Sequence, residues 1–316
     1  LQKWTRFSTN HHLYLRSFPA AAEAWDFSGY DLVISSSSAF AHGIITNGAP
    51  KHLCYVHSPA RYLWDRAHDV LAAAGSGPIG WARRAWLRET THRLRVWDSE
   101  AAERPEALLA ASDVVRRRIE LYWRRGSETL HPPIEDHWLQ RPLAKTVSAD
   151  APFLVVSTLA PYKRIDLAVR ACTERRLPLV IVGEGRDAGR LRGMAGPTVR
   201  FVGYAEGDAL AAHYASARAL LFPGEEDFGL VPLEAMACGT PVIAYRTGGA
   251  LESVREGVTG IFFDRPTAES LGTALAAFDP GAFDPAAGRA RAASFSRERF
   301  EREIRRRVGT LVGGRP

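Results

Sequence analysis

Two carboxylates eight residues apart flank a short apolar segment in the second half of the chain. Residues 225–240 read EEDFGLVPLEAMACGT, in which Glu226 and Glu234 stand on either side of a proline. Three interpretations fit this spacing: a solvated pair of charges, a paired-acid site that hydrolyses glycosides, or two hydrogen-bonding contacts to one extended polar ligand. The secondary structure that carries the two side chains distinguishes these three interpretations.

The flanking sequence predicts that the first carboxylate lies in a loop and the second on a helix. The apolar run ALLF at 219–222 predicts a short strand, and the Pro-Gly pair after it predicts a turn. Pro232 suits the first turn of a helix, where its missing N–H costs nothing, and Gly239 marks an end about seven residues later. Glu226 is therefore expected in the loop that leaves the strand, and Glu234 in the first turn of the next helix.

Alternating strands and helices in the second half predict a parallel sheet. The predicted strands are residues 153–158, 179–185, 199–204, 219–224, 241–245 and 260–263, and the predicted helices are residues 165–176, 188–195, 209–217, 231–239 and 250–257. Such βαβ units have right-handed crossovers, which place every strand-to-helix loop at one edge of the sheet. That edge is where doubly wound sheets bind ligands.

The first half predicts another α/β domain, with fewer strands. Its candidate strands are residues 31–36, 52–57, 107–112 and 128–133, and a long helical stretch covers about 79–105. A linker rich in Pro, Ala and Ser at 140–152 separates the halves. A boundary near residue 147 gives domains 1–147 and 148–316, and the second domain ends in a helix over 294–311.

Composition excludes several classes of protein. A hydrophobic content of 46% and a charged content of 24% are those of a soluble globular protein. No apolar run approaches the roughly 18 residues of a membrane span, and the first residues contain no signal-peptide core. The three cysteines are far apart, which favours neither disulfides nor zinc and predicts a reducing cytoplasm. The net charge of +6 comes from arginines interleaved with acids, so no nucleic-acid partner is expected.

Three more predicted strand ends carry groups suited to an anionic ligand. Lys163 and Arg164 stand just before a helix, where two cations next to the positive end of the helix dipole are unfavourable unless an anion binds; a solvated Lys-Arg pair is the alternative. The Gly-Glu-Gly run at 183–185 permits close backbone approach, although such a run alone is more often a plain turn. Gly248 and Gly249, at a further helix start, are expected to offer backbone N–H groups to phosphate.

Taken together, these loops fit a nucleotide sugar. Its diphosphate needs cations and backbone donors. Its ribose and hexose hydroxyls need carboxylate acceptors, because charge-assisted O–H···O⁻ bonds are short and strong. One glutamate in the loop and one on the helix can serve the two sugars at once. We therefore favour two contacts to one ligand over a paired-acid glycosidase, whose site seldom lies beside a phosphate cradle.

The run FPGEEDFGLVPLEAMACGTPVIAYRTGGALESV (222–254) closely resembles the donor-site signature of family 4 retaining glycosyltransferases, the glycosyl transferases group 1. STLAPYKRIDLA and IVGEG stand at the expected places upstream, and DLVISSSSAFAHGI and YVHSPARYLWD resemble the mannosyltransferase-like branch. The resemblance implies an α/β GT-B fold, in which two Rossmann-like doubly wound parallel-sheet domains face a cleft. It also implies that the first domain is incomplete and lacks the usual amino-terminal segment.

The resemblance assigns a role to each candidate residue. It implies that Glu234 binds the ribose hydroxyls and Glu226 the hydroxyls of the transferred sugar. Lys163, with Arg164, would hold the diphosphate and neutralise the departing charge, and His57 would lie at the acceptor side near the reacting carbon. The remaining implied contacts come from Phe228, Gly229 and Leu230 to the sugar and from Gly183, Glu184 and Gly185 to the base.

The implied reaction is transfer of a hexose with retention at the anomeric carbon, in cell-surface polysaccharide synthesis. The expected donor is GDP-mannose, and the expected acceptor is a glycan or a lipid-linked glycan. The donor phosphate would assist deprotonation of the acceptor, so no cofactor and no metal site are expected. Thr158 stands where the family usually has an arginine that contacts the diphosphate. The alternative is therefore a catalytically silent or partner-dependent protein that binds nucleotide sugar.

The predicted long helix mixes aromatic and basic residues. Trp81, Trp86 and Trp97 alternate with arginines in PIGWARRAWLRETTHRLRVWDSE. Such a helix can lie on anionic lipid, as a peripheral anchor on the inner face of the membrane. The alternative, which we favour, is that it packs its tryptophans inside the first domain.

Overall fold

A computed structural model describes residues 11–48, 50–72, 74–143, 147–148 and 150–313. The chain divides into two compact units, Leu1–Leu130 with Glu303–Pro316, and His131–Arg302. This division precedes the predicted boundary near residue 147. The end of the last helix belongs to the first unit, where Arg307 Nε donates to Glu128 Oε2 at 3.0 Å. Sequence reasoning instead assigned the whole helix to the second domain.

The first unit contains a four-stranded parallel sheet in the order β1-β2-β3-β4. Its strands are β1 (Leu32–Ser37), β2 (Lys51–Val56), β3 (Ala107–Ala110) and β4 (Glu128–Thr129), and its helices are α1 (Phe18–Glu23), α2 (Ala67–Ala72), α3 (Gly77–Ala101) and α4 (Asp113–Trp123). All four predicted strands are confirmed. The fourth is shorter than predicted because Pro132 and Pro133, which follow it, lack the N–H that strand pairing needs.

The long helix α3 divides its tryptophans between core and surface. The Trp97 indole donates to Glu23 Oε1 at 2.8 Å and lies against the Phe40 ring, at 5.7 Å between centroids. Near the start of the helix Ile79 is 85% exposed and Trp81 is 74% exposed. The packing interpretation therefore holds for Trp97 and fails for Trp81. In the described part of the chain, no helix combines the length and the apolar character that crossing a membrane requires.

The second unit is built around a six-stranded parallel sheet. In chain order its elements are α5 (Asp136–Leu139), β5 (Phe153–Val156), α6 (Ile165–Glu174), β6 (Leu179–Val182), α7 (Ala188–Gly193), β7 (Val199–Gly203), α8 (Gly207–Ser216), β8 (Leu220–Phe222), α9 (Val231–Ala237), β9 (Val242–Tyr245), α10 (Ala250–Ser253), β10 (Gly260–Phe263), α11 (Ala268–Ala277), α12 (Pro285–Ala293) and the start of α13 (Arg297–Gly313). The six strands predicted for this half of the chain are confirmed.

The strand order creates a crevice in the middle of this sheet. Read across, the strands run β7-β6-β5-β8-β9-β10, so the chain builds outward from β5 in one direction and from β8 in the other. Leu154 packs into one apolar cluster while Phe153 and Val155 pack into another, because alternate side chains of a strand face opposite sides of the sheet. Both faces are therefore covered. Ligands of such sheets bind beyond the carboxyl ends of the strands where the order reverses, here between β5 and β8.

Helices α1, α2, α4, α5, α11 and α12 were not predicted. For α4, Ser112 accepts a hydrogen bond from the Val115 N–H at 3.1 Å and caps the helix. The apolar run of β3 continues directly into this cap, so residues through 112 were assigned to the strand. Helices α11 and α12 are rich in alanine, which weakens the contrast between their buried and exposed faces.

Candidate functional site

A lysine and a glutamate meet where the strand order of the second sheet reverses. Lys163 follows β5, Glu226 follows β8, and Lys163 Nζ lies 2.6 Å from Glu226 Oε1. The two side chains are only 17% and 21% exposed. Sequence reasoning predicted both residues at strand ends, and the structure brings them into direct contact. A partly buried ion pair at this edge offers a ligand one cation and one acceptor side by side.

Backbone packing brings the two loops together. Lys163 ends a 3-10 turn, Pro161–Lys163, that connects β5 to α6. The loop after β8 approaches so closely that a Cβ on Gly224 would lie 2.7 Å from the Lys163 carbonyl oxygen. Only glycine fits there, so the Pro-Gly turn predicted after β8 also sets the distance between the loops.

Arg164, next to Lys163 in sequence, contacts other protein groups. Its φ of +51° is in the left-handed region, and its Nε donates to Asp166 Oδ1 at 3.2 Å. A second guanidinium nitrogen donates to the Pro266 carbonyl at 3.3 Å. The predicted cation next to Lys163 therefore has protein partners in this structure, and a role in holding diphosphate stays a prediction.

The loop that begins at Glu226 rests on the glycine pair after β9. The Gly249 N–H donates to the Glu226 carbonyl at 2.9 Å, and Gly248 has a φ of +62°. A Cβ on Gly248 would lie 2.5 Å from the same carbonyl oxygen. The expectation that this pair offers its N–H groups to phosphate is therefore wrong for Gly249, whose N–H supports the Glu226 loop instead.

Adding one methyl group at Gly249 should disturb this support. Its Cβ would overlap the Phe228 backbone, at 2.5 Å from the carbonyl oxygen. We expect Gly249→Ala to lower the free energy of unfolding by about 1–3 kcal/mol, the usual range for overpacking, and to weaken nucleotide binding. Thermal unfolding and calorimetry measure both effects. Gly189→Ala in α7, where a Cβ meets nothing within 4 Å, is the matched control. Equal stability and binding in the two variants would contradict this account of the loop.

Phe228, Gly229 and Leu230 continue the loop in three different environments. Phe228 is buried, with its ring centroid 5.2 Å from that of His131 and 5.5 Å from that of Phe295. Gly229 has a φ of +81°, and a Cβ there would lie 2.7 Å from Phe222 Cζ. Leu230 is exposed and immediately precedes α9. Burial of the Phe228 ring anchors the backbone that the resemblance places against a sugar.

Glu234 lies in the first turn of α9, as predicted, and its partner is a tyrosine. The buried Tyr214 on α8 donates its hydroxyl to Glu234 Oε2 at 2.8 Å. Burial raises the pKa of Glu234, and the hydrogen bond from Tyr214 opposes that rise. Sequence reasoning missed Tyr214, because no local pattern connects residues 20 positions apart. Glu226 and Glu234 therefore have different partners, Lys163 and Tyr214, in keeping with two separate contacts to a ligand.

The Gly-Glu-Gly run after β6 is fastened to the loop after β5. The Leu159 N–H donates to the Glu184 carbonyl at 2.8 Å, and the Asp187 N–H donates to the Leu159 carbonyl at 3.0 Å. A Cβ on Gly183 would overlap the Ser157 backbone, and one on Gly185 would overlap that of Leu159. The glycines thus allow two strand-end loops to touch, while the Glu184 side chain is exposed. Contact of this run with a base stays a prediction.

His57 lies in the first unit, at the carboxyl end of β2. Its Nε2 is 2.8 Å from Ser36 Oγ, and partial burial lowers the pKa of the imidazole, which favours its neutral form. Nearby, Asp65 contacts Arg61 at 3.4 Å and Arg118 at 3.0 Å, so this carboxylate holds the fold of the first unit together. The structure describes His57 and the donor-side residues in separate units.

A cavity of about 660 Å³ lies elsewhere in the first unit. It opens at the amino ends of the strands, and its lining includes Asp31, Lys51, Glu128 and Arg307. The candidate residues follow the carboxyl ends of strands, at the opposite edge of a sheet. We therefore assign this cavity no part in the candidate site.

Comparison with known proteins defines the class. Residues 142–278 match the family described as glycosyl transferases group 1. The chain is 32% identical over 289 residues to a D-inositol 3-phosphate glycosyltransferase of Actinosynnema mirum, across 74% of this chain and 68% of the relative. The chain belongs to this family, as the sequence analysis predicted. Its resemblance to a solved structure, sucrose-phosphate synthase from Thermosynechococcus elongatus, has a TM-score of 0.71 at 19% identity and covers 99% of this chain and 80% of that one. The fold is GT-B.

A second relative is closer in sequence over a shorter stretch. A GDP-mannose-dependent alpha-mannosyltransferase of Mycolicibacterium smegmatis is 38% identical over 204 residues, 62% of this chain and 52% of the relative. The chain therefore spans about half to two thirds of the length of these two curated relatives.

Proposed function

We propose that the chain is the donor-binding part and catalytic centre of a nucleotide-sugar-dependent hexosyltransferase that transfers mannose from GDP-mannose with retention. The observation that carries the proposal is the contact between Lys163 and Glu226 at the point where the strand order reverses. Family membership supports the reaction class, and the name of the mycobacterial relative supports the choice of GDP-mannose. The proposed acceptor is a glycan or lipid-linked glycan of the cell surface.

The proposed roles follow from the charges of the side chains. Lys163 binds the diphosphate through a charge-assisted contact, and Glu226, released from the ion pair, accepts hydrogen bonds from the hexose hydroxyls. Glu234 accepts hydrogen bonds from the ribose. Phe228, Gly229 and Leu230 present backbone groups to the hexose. Binding therefore exchanges one ion pair inside the protein for two contacts to the ligand.

The proposed chemical step needs no group beyond donor, acceptor and protein. The acceptor hydroxyl oxygen attacks the anomeric carbon on the face from which the diphosphate leaves. The carbon–oxygen bond to the phosphate breaks, and the hydroxyl proton passes to a phosphate oxygen. Lys163 stabilises the negative charge that develops on the leaving diphosphate. His57 is assigned to the acceptor side.

Calorimetry against a panel of nucleotides tests the proposal directly. GDP, UDP, ADP and TDP are titrated separately, and the diphosphate that binds names the base. GDP is the expected ligand. Incubation of the corresponding nucleotide sugar with a lipid-linked acceptor, followed by NMR of the product, then reports whether the anomeric configuration is retained. A cooperatively folded chain that binds none of the four diphosphates would contradict the proposal.

A silent protein that binds nucleotide sugar is the second candidate. It is favoured by Thr158 at the position of the family's usual arginine, and by the pairing of Arg164 with Asp166. Thr158 supplies no cation, and Arg164 is engaged by Asp166. Lys163 is therefore the predicted cation that pairs with a candidate carboxylate. Tight binding of a nucleotide sugar without transfer to any tested acceptor would favour this candidate.

Peripheral attachment to a membrane is a further part of the proposal. The exposed Ile79 and Trp81 stand beside exposed arginines at 83, 84 and 88 on α3, an arrangement suited to anionic lipid. We expect co-sedimentation with phosphatidylserine vesicles to be lost in the Ile79→Asn, Trp81→Asn double variant. Trp25→Asn, at an exposed tryptophan outside α3, should sediment like the wild type. Failure of the wild type to sediment would overturn this part alone.

A further inference from the structure

Tyr214 is held by contacts to both its ring and its backbone. The residue is fully buried on α8. The Trp138 ring of α5 meets it edge-on, at 5.6 Å between centroids, and the Thr240 hydroxyl donates to its carbonyl at 2.6 Å. The Thr240 N–H in turn donates to the Ala235 carbonyl of α9 at 2.8 Å. The ring therefore has little freedom, and its hydroxyl is directed at one acceptor, Glu234.

The hydrogen bond from Tyr214 engages only one of the two oxygens of the Glu234 carboxylate. Among the residues that the structure describes, Glu234 Oε2 accepts from Tyr214, and Oε1 has no hydrogen-bond partner. Burial of the tyrosine and the nearby carboxylate both hold the pKa of Tyr214 well above its usual value, so the hydroxyl stays a donor at every physiological pH. Because the Tyr214 hydroxyl holds Oε2 in place, it also fixes the orientation of the carboxylate and therefore the position of Oε1.

We propose that Tyr214 is a positioning residue for the nucleotide: it holds the Glu234 carboxylate so that its second oxygen accepts hydrogen bonds from the ribose. This inference rests on the proposed function. A buried tyrosine hydroxyl needs an acceptor in any case, and that need alone explains the contact without any role in binding. The two accounts differ in what the loss of the hydroxyl does to nucleotide binding.

The charged state of Glu234 gives the positioning account a second readout beside affinity. Burial raises the pKa of Glu234, the hydrogen bond from Tyr214 lowers it, and the other charges that face it are Glu135, which raises it, and His137, which lowers it. Tyr214→Phe removes the hydroxyl and leaves the other groups in place. The carboxylate should then take up its proton at a higher pH. As the pH is lowered, the Tyr214→Phe variant should therefore lose ribose binding at a higher pH than the wild type does.

The experiment is a pH series of GDP-mannose affinity for the wild type, Tyr214→Phe and Tyr122→Phe. GDP-mannose is chosen because it lacks the terminal phosphate whose second pKa near 6 would obscure the titration of GDP. Tyr122 is the matched control, since its hydroxyl also donates to a carboxylate, that of Asp65, at 2.8 Å in the first unit. We expect Tyr214→Phe to weaken binding about tenfold at neutral pH and to move the acid limit of binding to higher pH, with Tyr122→Phe unchanged.

The outcomes distinguish failure of the inference from failure of the proposed function on which it rests. A wild type that binds neither GDP-mannose nor any diphosphate of the panel overturns the proposed function, and the inference with it. A wild type that binds, together with a Tyr214→Phe variant of the same affinity and the same acid limit, overturns the inference alone. Thermal unfolding of both variants shows whether the loss of binding exceeds the loss of folded protein.

Discussion

Replacing Lys163 with alanine should lower the rate of sugar transfer by about 10²–10³-fold, the range found when one group that stabilises developing negative charge is removed. The substitution also leaves Glu226 without its 2.6 Å partner, as a partly buried carboxylate next to the expected position of the diphosphate. Two negative groups would then repel each other, so nucleotide affinity should fall together with turnover. Steady-state transfer kinetics and calorimetry with GDP measure the two effects separately.

Lys51→Ala is the matched control for this experiment. Lys51 is also paired with a glutamate, Glu106, at 3.8 Å, but it lies on β2 in the first unit and is more exposed. The variant should bind GDP as the wild type does. Glu226→Gln supplies the opposite test: removing the negative charge should leave GDP binding intact or tighter, while the extra affinity for GDP-mannose over GDP is lost. Similar losses of GDP affinity in Lys163→Ala and Glu226→Gln would contradict the assigned roles.

The sheets and the positions of the two glutamates could be predicted because their determinants are local in sequence. The strand and the turn that precede Glu226 follow from ALLF and Pro-Gly, and the helix that carries Glu234 begins and ends at residues with a marked helix-end preference. These signals act within a few residues. Once the strands are recognised as parallel, their order of connection places the loops at one edge without any knowledge of side-chain contacts.

The partners of the candidate residues could not be predicted, because each comes from a distant part of the chain. Tyr214 reaches Glu234 from α8, and Gly249 reaches Glu226 from the loop after β9. Arg164 was expected to act with Lys163, but its backbone is left-handed and its guanidinium donates to Asp166 and to the Pro266 carbonyl. Two residues adjacent in sequence thus have different partners, which only three-dimensional packing determines.

Replacing Glu234 with alanine should weaken nucleotide binding by about a hundredfold, because it removes a charged hydrogen-bond acceptor whose contacts are worth about 1.5–3 kcal/mol each. The decisive ligand is 2′-deoxy-GDP. If Glu234 binds the ribose, the wild type should prefer GDP over the deoxy form, and Glu234→Ala should bind both with similar, low affinity. An unchanged preference in the variant would show that the carboxylate serves another group.

The stability of the variant provides an independent check on the same assignment. Burial raises the pKa of Glu234 above that of an unfolded glutamate, so the free energy of unfolding that this group contributes is fully present below the unfolded pKa and is lost as pH rises through the folded pKa. Above the folded pKa the ionised carboxylate is therefore a cost to the free protein. Glu234→Gln, which removes the charge and keeps the shape, should unfold at the same temperature as the wild type or above it, while it binds GDP less tightly. Glu234 would then destabilise the ligand-free protein and stabilise the complex with the nucleotide, as expected of a residue that binds the ligand.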